Sequence, residues 1–274
     1  MPALRDQIWA FDAEWVPDAG LGRRLYGLAP DTPDALVFEE MWRRGGASDE
    51  NPRPYLKTVL CRVVSLVSLR RSAQGGDAEL SIVSWSDSAP AGAQQPEGAM
   101  IGRFLEAVGR ERPLLVGFNS RHADIPILIQ RAVAHGLAAP EFARLDYLGW
   151  KSGLHVDLMA SLGWGGRSTP SLDELATACG IPGKVDTRGG DVADLWLADR
   201  HGEIVAYNEL DVISTWLVWL RLAHFEGRID ASSYQGEQER VERFLEAGAA
   251  ARPHFLRYLG LWRSLRALRP PAAG

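Results

Sequence analysis

IWAFDAE, residues 8–14, is the stretch on which the reading of this chain turns. Four apolar residues, three of them bulky, lead into two acids spaced two apart. In an extended strand, side chains at i and i+2 point to the same face, so Asp12 and Glu14 share one. D-x-E is a common pattern, and at a solvated strand end it carries no message. The apolar lead, however, marks an interior strand. Two carboxylates on one face there repel, and one tends to stay protonated unless a bound divalent cation supplies the missing positive charge.

Outward from this strand, residues 16–57 are rich in Pro, Gly and Asp and hold no sustained period. They read as a long excursion with a short helix near 35–43. Residues 58–71, TVLCRVVSLVSLRR, are apolar and β-branched, which predicts a long strand. A turn is expected at 72–77 and a second hairpin strand at 79–85, giving an antiparallel β1-β2-β3 meander. Helices and strands then alternate. A helix is predicted at 97–109 and a short buried strand after Pro113. In the next helix, Ile125, Leu128, Ile129, Ala132 and Val133 fall at i, i+3, i+4, i+7 and i+8. Ser171 and Glu174 form the S-x-x-E capping box of a helix that stops at Gly180. The strongest helical pattern covers 201–225, and two more helices are expected in 233–250 and 253–267. The expected class is α/β: a mixed central sheet flanked by helices, with a helical C-terminal extension.

Bulk properties narrow the function. The chain has 274 residues, 46% of them hydrophobic and 24% charged. That suits a globular protein with one large core. No apolar run approaches the ~20 residues needed to span a bilayer. The first residues lack the basic and apolar regions of a secretion signal, so the cytoplasm is the expected compartment. Cys61 and Cys179 lie in apolar segments without a C-x-x-C partner, so buried thiols are expected rather than a disulfide or zinc framework. The net charge of −5 argues against a basic coat for duplex binding. It does not exclude nucleic acid, because an acidic metal site lowers the total by itself. The six histidines show no metal-ligand spacing such as H-E-x-x-H.

Two further segments place acids in apolar surroundings. In LLVGFNSRHADIP, residues 114–126, a buried strand runs through Gly117 and Asn119 to Asp124 at a helix start. Asp124 then either stands at the C-terminal edge of the sheet, where α/β proteins place ligands, or caps the helix, with Pro126 in its first turn. Asn119 is either a turn residue or a substrate contact. In AYNELD, residues 206–211, Tyr207 and Asp211 are four apart and share a helix face. That helix is apolar on most sides, so an acid within it needs a reason. Asp157, in HVDLM, is the rival carboxylate, and a helix N-cap before 158–162 is its simpler role.

Taken in order, FDAE, GFNSRHADIP and YNELD resemble the three motifs of the DEDD superfamily of 3′–5′ exonucleases, whose fold is ribonuclease H-like (DnaQ-like). HVDLM and PSLDELATACGIPGK resemble the linking segments of one subgroup, the proofreading domain of B-family DNA polymerases and its stand-alone bacterial relatives. The resemblance spans roughly residues 8–227. It implies an exonuclease domain over 1–227, with 16–57 as an insertion after the first motif, and 228–274 as a helical extension packed on the same domain. It also implies metal-binding carboxylates at Asp12, Glu14, Asp124 and Asp211. Tyr207 takes the place of the DEDDy tyrosine. The sister branch has a His five residues before the last Asp, where this chain has Ala206. Ala123 departs from the family, many members of which carry Phe before the Asp.

The implied activity is two-metal hydrolysis at the 3′ end of single-stranded nucleic acid, DNA rather than RNA, releasing nucleoside 5′-monophosphates. Mg²⁺ or Mn²⁺ suits the hard oxygen donors. Such ions clamp an in-line displacement while Tyr207 orients the attacking water. Substrate contacts are expected from Asn119, Phe118, Arg121 and Lys184. Phe118 also reads as core, and Lys184 as a solvated loop residue. Two alternatives stay open: an exoribonuclease with the same site, and a catalytically silent module that binds nucleic-acid ends or a partner protein.

Overall fold

The computed structural model describes residues 4–74, 77–86, 96–149, 153–163, 169–183 and 192–267. Among these, five strands form one sheet in the order β3-β2-β1-β4-β5. β1 (Gln7–Pro17) lies at its centre, antiparallel to β2 (Cys61–Gln74) and parallel to β4 (Leu114–Gly117). β3 (Asp77–Ser84) pairs antiparallel with β2, and β5 (His155–Asp157) parallel with β4. The meander followed by alternating strands and helices is the arrangement the sequence predicts.

Alternation along β1 sorts its side chains between two cores. Trp9, Phe11 and Ala13 join the core beneath α3 (Glu97–Glu111) and α4 (Asp124–Ala134), with Ile101, Phe104, Ile125 and Leu128. Ile8 and Ala10 join the opposite core, beneath α9 (His201–Phe225), with Val212, Ile213 and Trp216. Asp12 and Glu14 continue the Ile8–Ala10 row and face α9. The last two helices, α10 (Ala231–Gly248) and α11 (His254–Ala267), close that side through Val241, Leu245, Phe255, Tyr258 and Trp262.

Several local expectations need correction. Residues 58–60 form a 3-10 turn, and pairing begins only at Cys61, opposite Pro17. The β2–β3 ladder runs on to Gln74 and Asp77, so strand pairing extends into the predicted 72–77 turn. Val133 is 74% exposed and leaves the buried face of α4. The 16–57 segment holds two helices, α1 (Ala19–Tyr26) and α2 (Asp34–Arg44). Val37, Phe38 and Met41 of α2 are fully buried. α1 crosses α2 so closely that a Cβ on Gly22 would come within 2.7 Å of the Met41 sulfur and a Val37 methyl. The remaining helices are α5 (Pro140–Ala143), α6 (Leu158–Leu162), α7 (Leu172–Cys179) and α8 (Val192–Leu197). α7 carries the predicted Ser171–Glu174 capping box and ends at Gly180 in the left-handed region. Among the described residues, no helix is long and apolar enough to cross a membrane. Both cysteines are free thiols, and burial pushes that of Cys61 up to about 12.

Candidate metal centre

Strand β1 and helix α9 cross so that Asp12, Glu14 and Asp211 meet. One oxygen of each lies within 4.8 Å of the others, and all three side chains are half-buried. Tyr207, one helical turn before Asp211, is buried and donates its hydroxyl proton to the Asp211 carboxylate. Burial holds this phenol well above its ordinary pKa, and the charges of Asp211, Glu14 and Asp12 push it further up. Tyr207 is therefore a proton-bearing donor at any physiological pH.

Asp124 opens α4 without capping it, since the cap position is Ala123 and makes no side-chain cap bond. Its Oδ1 instead accepts the Ala13 N–H at 3.0 Å, across the sheet edge. Asp124 thus grips the backbone between Asp12 and Glu14, but its oxygens do not join the 4.8 Å group. Burial raises its pKa to about 7 and the nearby Asp157 charge adds to the rise, against the lowering effect of its backbone hydrogen bonds.

The turn that delivers Asp124 is held by Asp157, which accepts from the N–H groups of Asn119 (3.0 Å), Arg121 (2.9 Å) and Ala160 (3.2 Å). The last bond makes it the N-cap of α6, the simpler of its two expected roles. Asn119 sits in the left-handed region at φ 57°. A Cβ on Gly117 would approach Ser120 Oγ to 2.3 Å, so only glycine fits this turn. His155 receives the Ser120 hydroxyl at 2.8 Å on Nε2, and its Nδ1 lies 2.8 Å from the Tyr147 carbonyl. Burial lowers its pKa to about 4, so the ring stays neutral.

The expected substrate contacts are distributed unevenly. Phe118 is half-buried and packs on the α9-side core. Arg121 is buried, and its guanidinium donates to the Leu148 carbonyl. Asn119 is half-buried at the same turn. Lys184 lies outside the described residues.

Two residues beside Tyr207 escaped sequence reasoning. Asn208 is fully buried, and its Nδ2 donates to Ser65 Oγ (3.2 Å) and to the Asp12 carbonyl (3.4 Å). Ser65 is the cross-strand partner of Glu14, so Asn208 ties α9 to both strands at the site. Glu209, 2% exposed, accepts from Ser84 Oγ at 2.5 Å and Arg252 Nε at 2.9 Å, and lies 2.7 Å from His254 Nε2. Burial opposes its ionisation, but the hydrogen bonds from His254, Ser84 and Arg252 outweigh it and leave the pKa low. No spacing rule distinguishes these buried polar residues from a solvated helix face.

A five-stranded mixed sheet in this order, with helices on both faces and acids within its central first strand, which runs on past the expected end at residue 14 to Pro17, is a ribonuclease H-like architecture. Residues 53–262 match a family described as a predicted 3′–5′ exonuclease related to the exonuclease domain of PolB, and the chain belongs to that family. The matched span holds Asp124, Tyr207 and Asp211 and runs on into α11; Asp12 and Glu14 precede it. No curated protein matches the chain.

Proposed function

We propose that this protein is a metal-dependent exonuclease of the DEDDy type that degrades single-stranded nucleic acid from the 3′ end, DNA in preference to RNA. The observation that carries the reading is the convergence of three carboxylates within 4.8 Å, with Tyr207 hydrogen-bonded to one of them. Three hard oxygen donors on a half-buried surface suit Mg²⁺ or Mn²⁺ and do not suit softer metals. Such ions, when bound, lower the pKa of water and offset negative charge on a phosphodiester.

In this reading Asp12, Glu14 and Asp211 hold the ions, and Asp124 is the fourth carboxylate. Tyr207 orients the attacking water as a donor; a phenol, with an ordinary pKa of about 10, is a poor base at neutral pH. Asn208 and the Asp124–Ala13 bond hold β1 in register with α9 and α4. Residues 1–227 form the nuclease unit, 228–274 brace it, and the protein works in the cytoplasm.

The test is digestion of matched 3′- and 5′-labelled single strands in Mn²⁺, with Asp12→Ala as control. The expected products are 5′-mononucleotides released from the 3′ end by the wild type and none from the variant. Undiminished digestion by Asp12→Ala would falsify the assignment. Parallel DNA and RNA strands report the sugar preference, which rests on contacts to the 2′-hydroxyl. A wild type that binds ends without cutting them would be a silent module.

A further inference from the structure

Tyr55 is 67% exposed, yet the chain on either side of it is fixed. Two residues before it, Arg53 makes a two-pronged ion pair with Asp194 (2.7 and 2.8 Å) and lies over the Trp42 ring at 5.1 Å. One residue after it, Leu56 is buried in the core. Three residues after it, Thr58 bonds Gln130 of α4 at 2.8 Å. The Tyr55 ring is braced at 83° by Trp15, with centroids 6.4 Å apart. Trp15 directly follows Glu14, and β1 shifts register between these two residues. Bulges of this kind re-aim side chains next to functional sites. Partial burial raises the pKa of the phenol, and the charges of Cys61 and Asp124 add to the rise. An exposed ring held on both sides thus packs on Trp15, the residue that follows Glu14, beside a cleft of about 140 Å³ lined by Trp15, Trp42 and Arg53.

We propose that Tyr55 is a stacking platform for an unpaired nucleobase of the strand whose 3′ end enters the carboxylate site. Every base offers a π-face, so such a platform grips single strands without reading their sequence. The inference rests on the exonuclease reading for its ligand. It adds a role for the 16–57 segment: α2 anchors in the core, and the residues after it present the ring beside Trp15.

The experiment compares the wild type, Tyr55→Phe and Tyr55→Ala on two oligonucleotides. One is ordinary, and the other is abasic at its last two positions. In Tyr55→Ala, KM for the ordinary strand should rise roughly tenfold with kcat nearly unchanged, within the range of base–aromatic stacking. Tyr55→Phe should keep the wild-type KM. Abasic ends should raise the wild-type KM by a similar factor and add nothing in Tyr55→Ala. An unchanged KM in Tyr55→Ala, or an equal abasic penalty in both proteins, overturns the platform while the exonuclease reading stands. Fluorescence anisotropy of the same strands in Ca²⁺ separates the reverse case. A Tyr55-dependent preference for base-bearing strands supports the platform even if the wild type cuts nothing, and loss of that preference in the wild type refutes it. Tyr55→Leu, which keeps apolar bulk, serves the same comparison if the alanine variant does not fold.

Discussion

Asp124 is the residue whose chemistry most depends on its surroundings. Burial lifts its pKa to about 7, well above the value of an unfolded chain. A raised acid favours the folded state while it is protonated. That contribution is complete below about pH 4 and is lost as pH rises through about 7. Without added metal, the melting temperature should therefore fall across this window for the wild type. Asp124→Asn keeps an acceptor for the Ala13 N–H and should flatten that slope. Calorimetry from pH 4 to 8 would show it, and parallel slopes in the two proteins would count against the assignment. Tyr207→Phe removes only the hydroxyl that donates to Asp211. Turnover should fall roughly 10²-fold while Mn²⁺ affinity holds, as expected of a positioning donor. Isothermal titration that finds the metal lost instead would reject this role. The sequence made these residues visible because each acid or tyrosine interrupts an apolar run. It left Asn208 unread, because a buried asparagine is defined by partners about 200 positions away, as its bond to the Asp12 carbonyl shows.

Helix α9 is the element that joins the centre to the rest of the protein. One of its faces gives Tyr207 and Asp211 to the carboxylate group, and Glu209 points to β3 and the turn before α11. Glu209→Ala would leave Arg252 and His254 without their shared carboxylate. It should cost about 2–3 kcal/mol in denaturant unfolding. A midpoint equal to the wild type would show that the α10–α11 pair is held by its apolar contacts alone. Helices with a strong local signal were legible: α9, with its long apolar run, and α7, with its capping box and closing glycine. α1 was not, although Asp18 caps it and Gly27 ends it. Gly20 and Gly22 lower its intrinsic preference, and the close crossing with α2 that calls for Gly22 is a tertiary fact.

At the scale of the whole molecule, the topology assembles the site. A central first strand, antiparallel on one side and parallel on the other, carries residues 12 and 14 to the crossing with α9. The alternation of predicted strands and helices made this layout legible before any distance was known. The sequence could not supply the exact meeting of side chains, which depends on how α9 crosses the sheet. Metal should stabilise the assembled form. At a hundredfold excess over Kd, Mn²⁺ should raise the melting temperature by roughly 5–10 °C in the wild type. Asp12→Ala should show little of that shift, and an equal rise in both proteins would locate the ion elsewhere.

The bond from Asn208 to the Asp12 carbonyl joins residues 196 positions apart. The two halves of the carboxylate group are thus separated in time as well as in sequence. While a ribosome is still making the chain, β1 emerges well before α9, and a nascent molecule lacks the third carboxylate until Asp211 has emerged. The sheet must also wait for long-range pairing, which makes folding slow compared with a helical bundle. The carboxylate group is therefore assembled late, only after β1 and α9 have both been made and have met across the sheet.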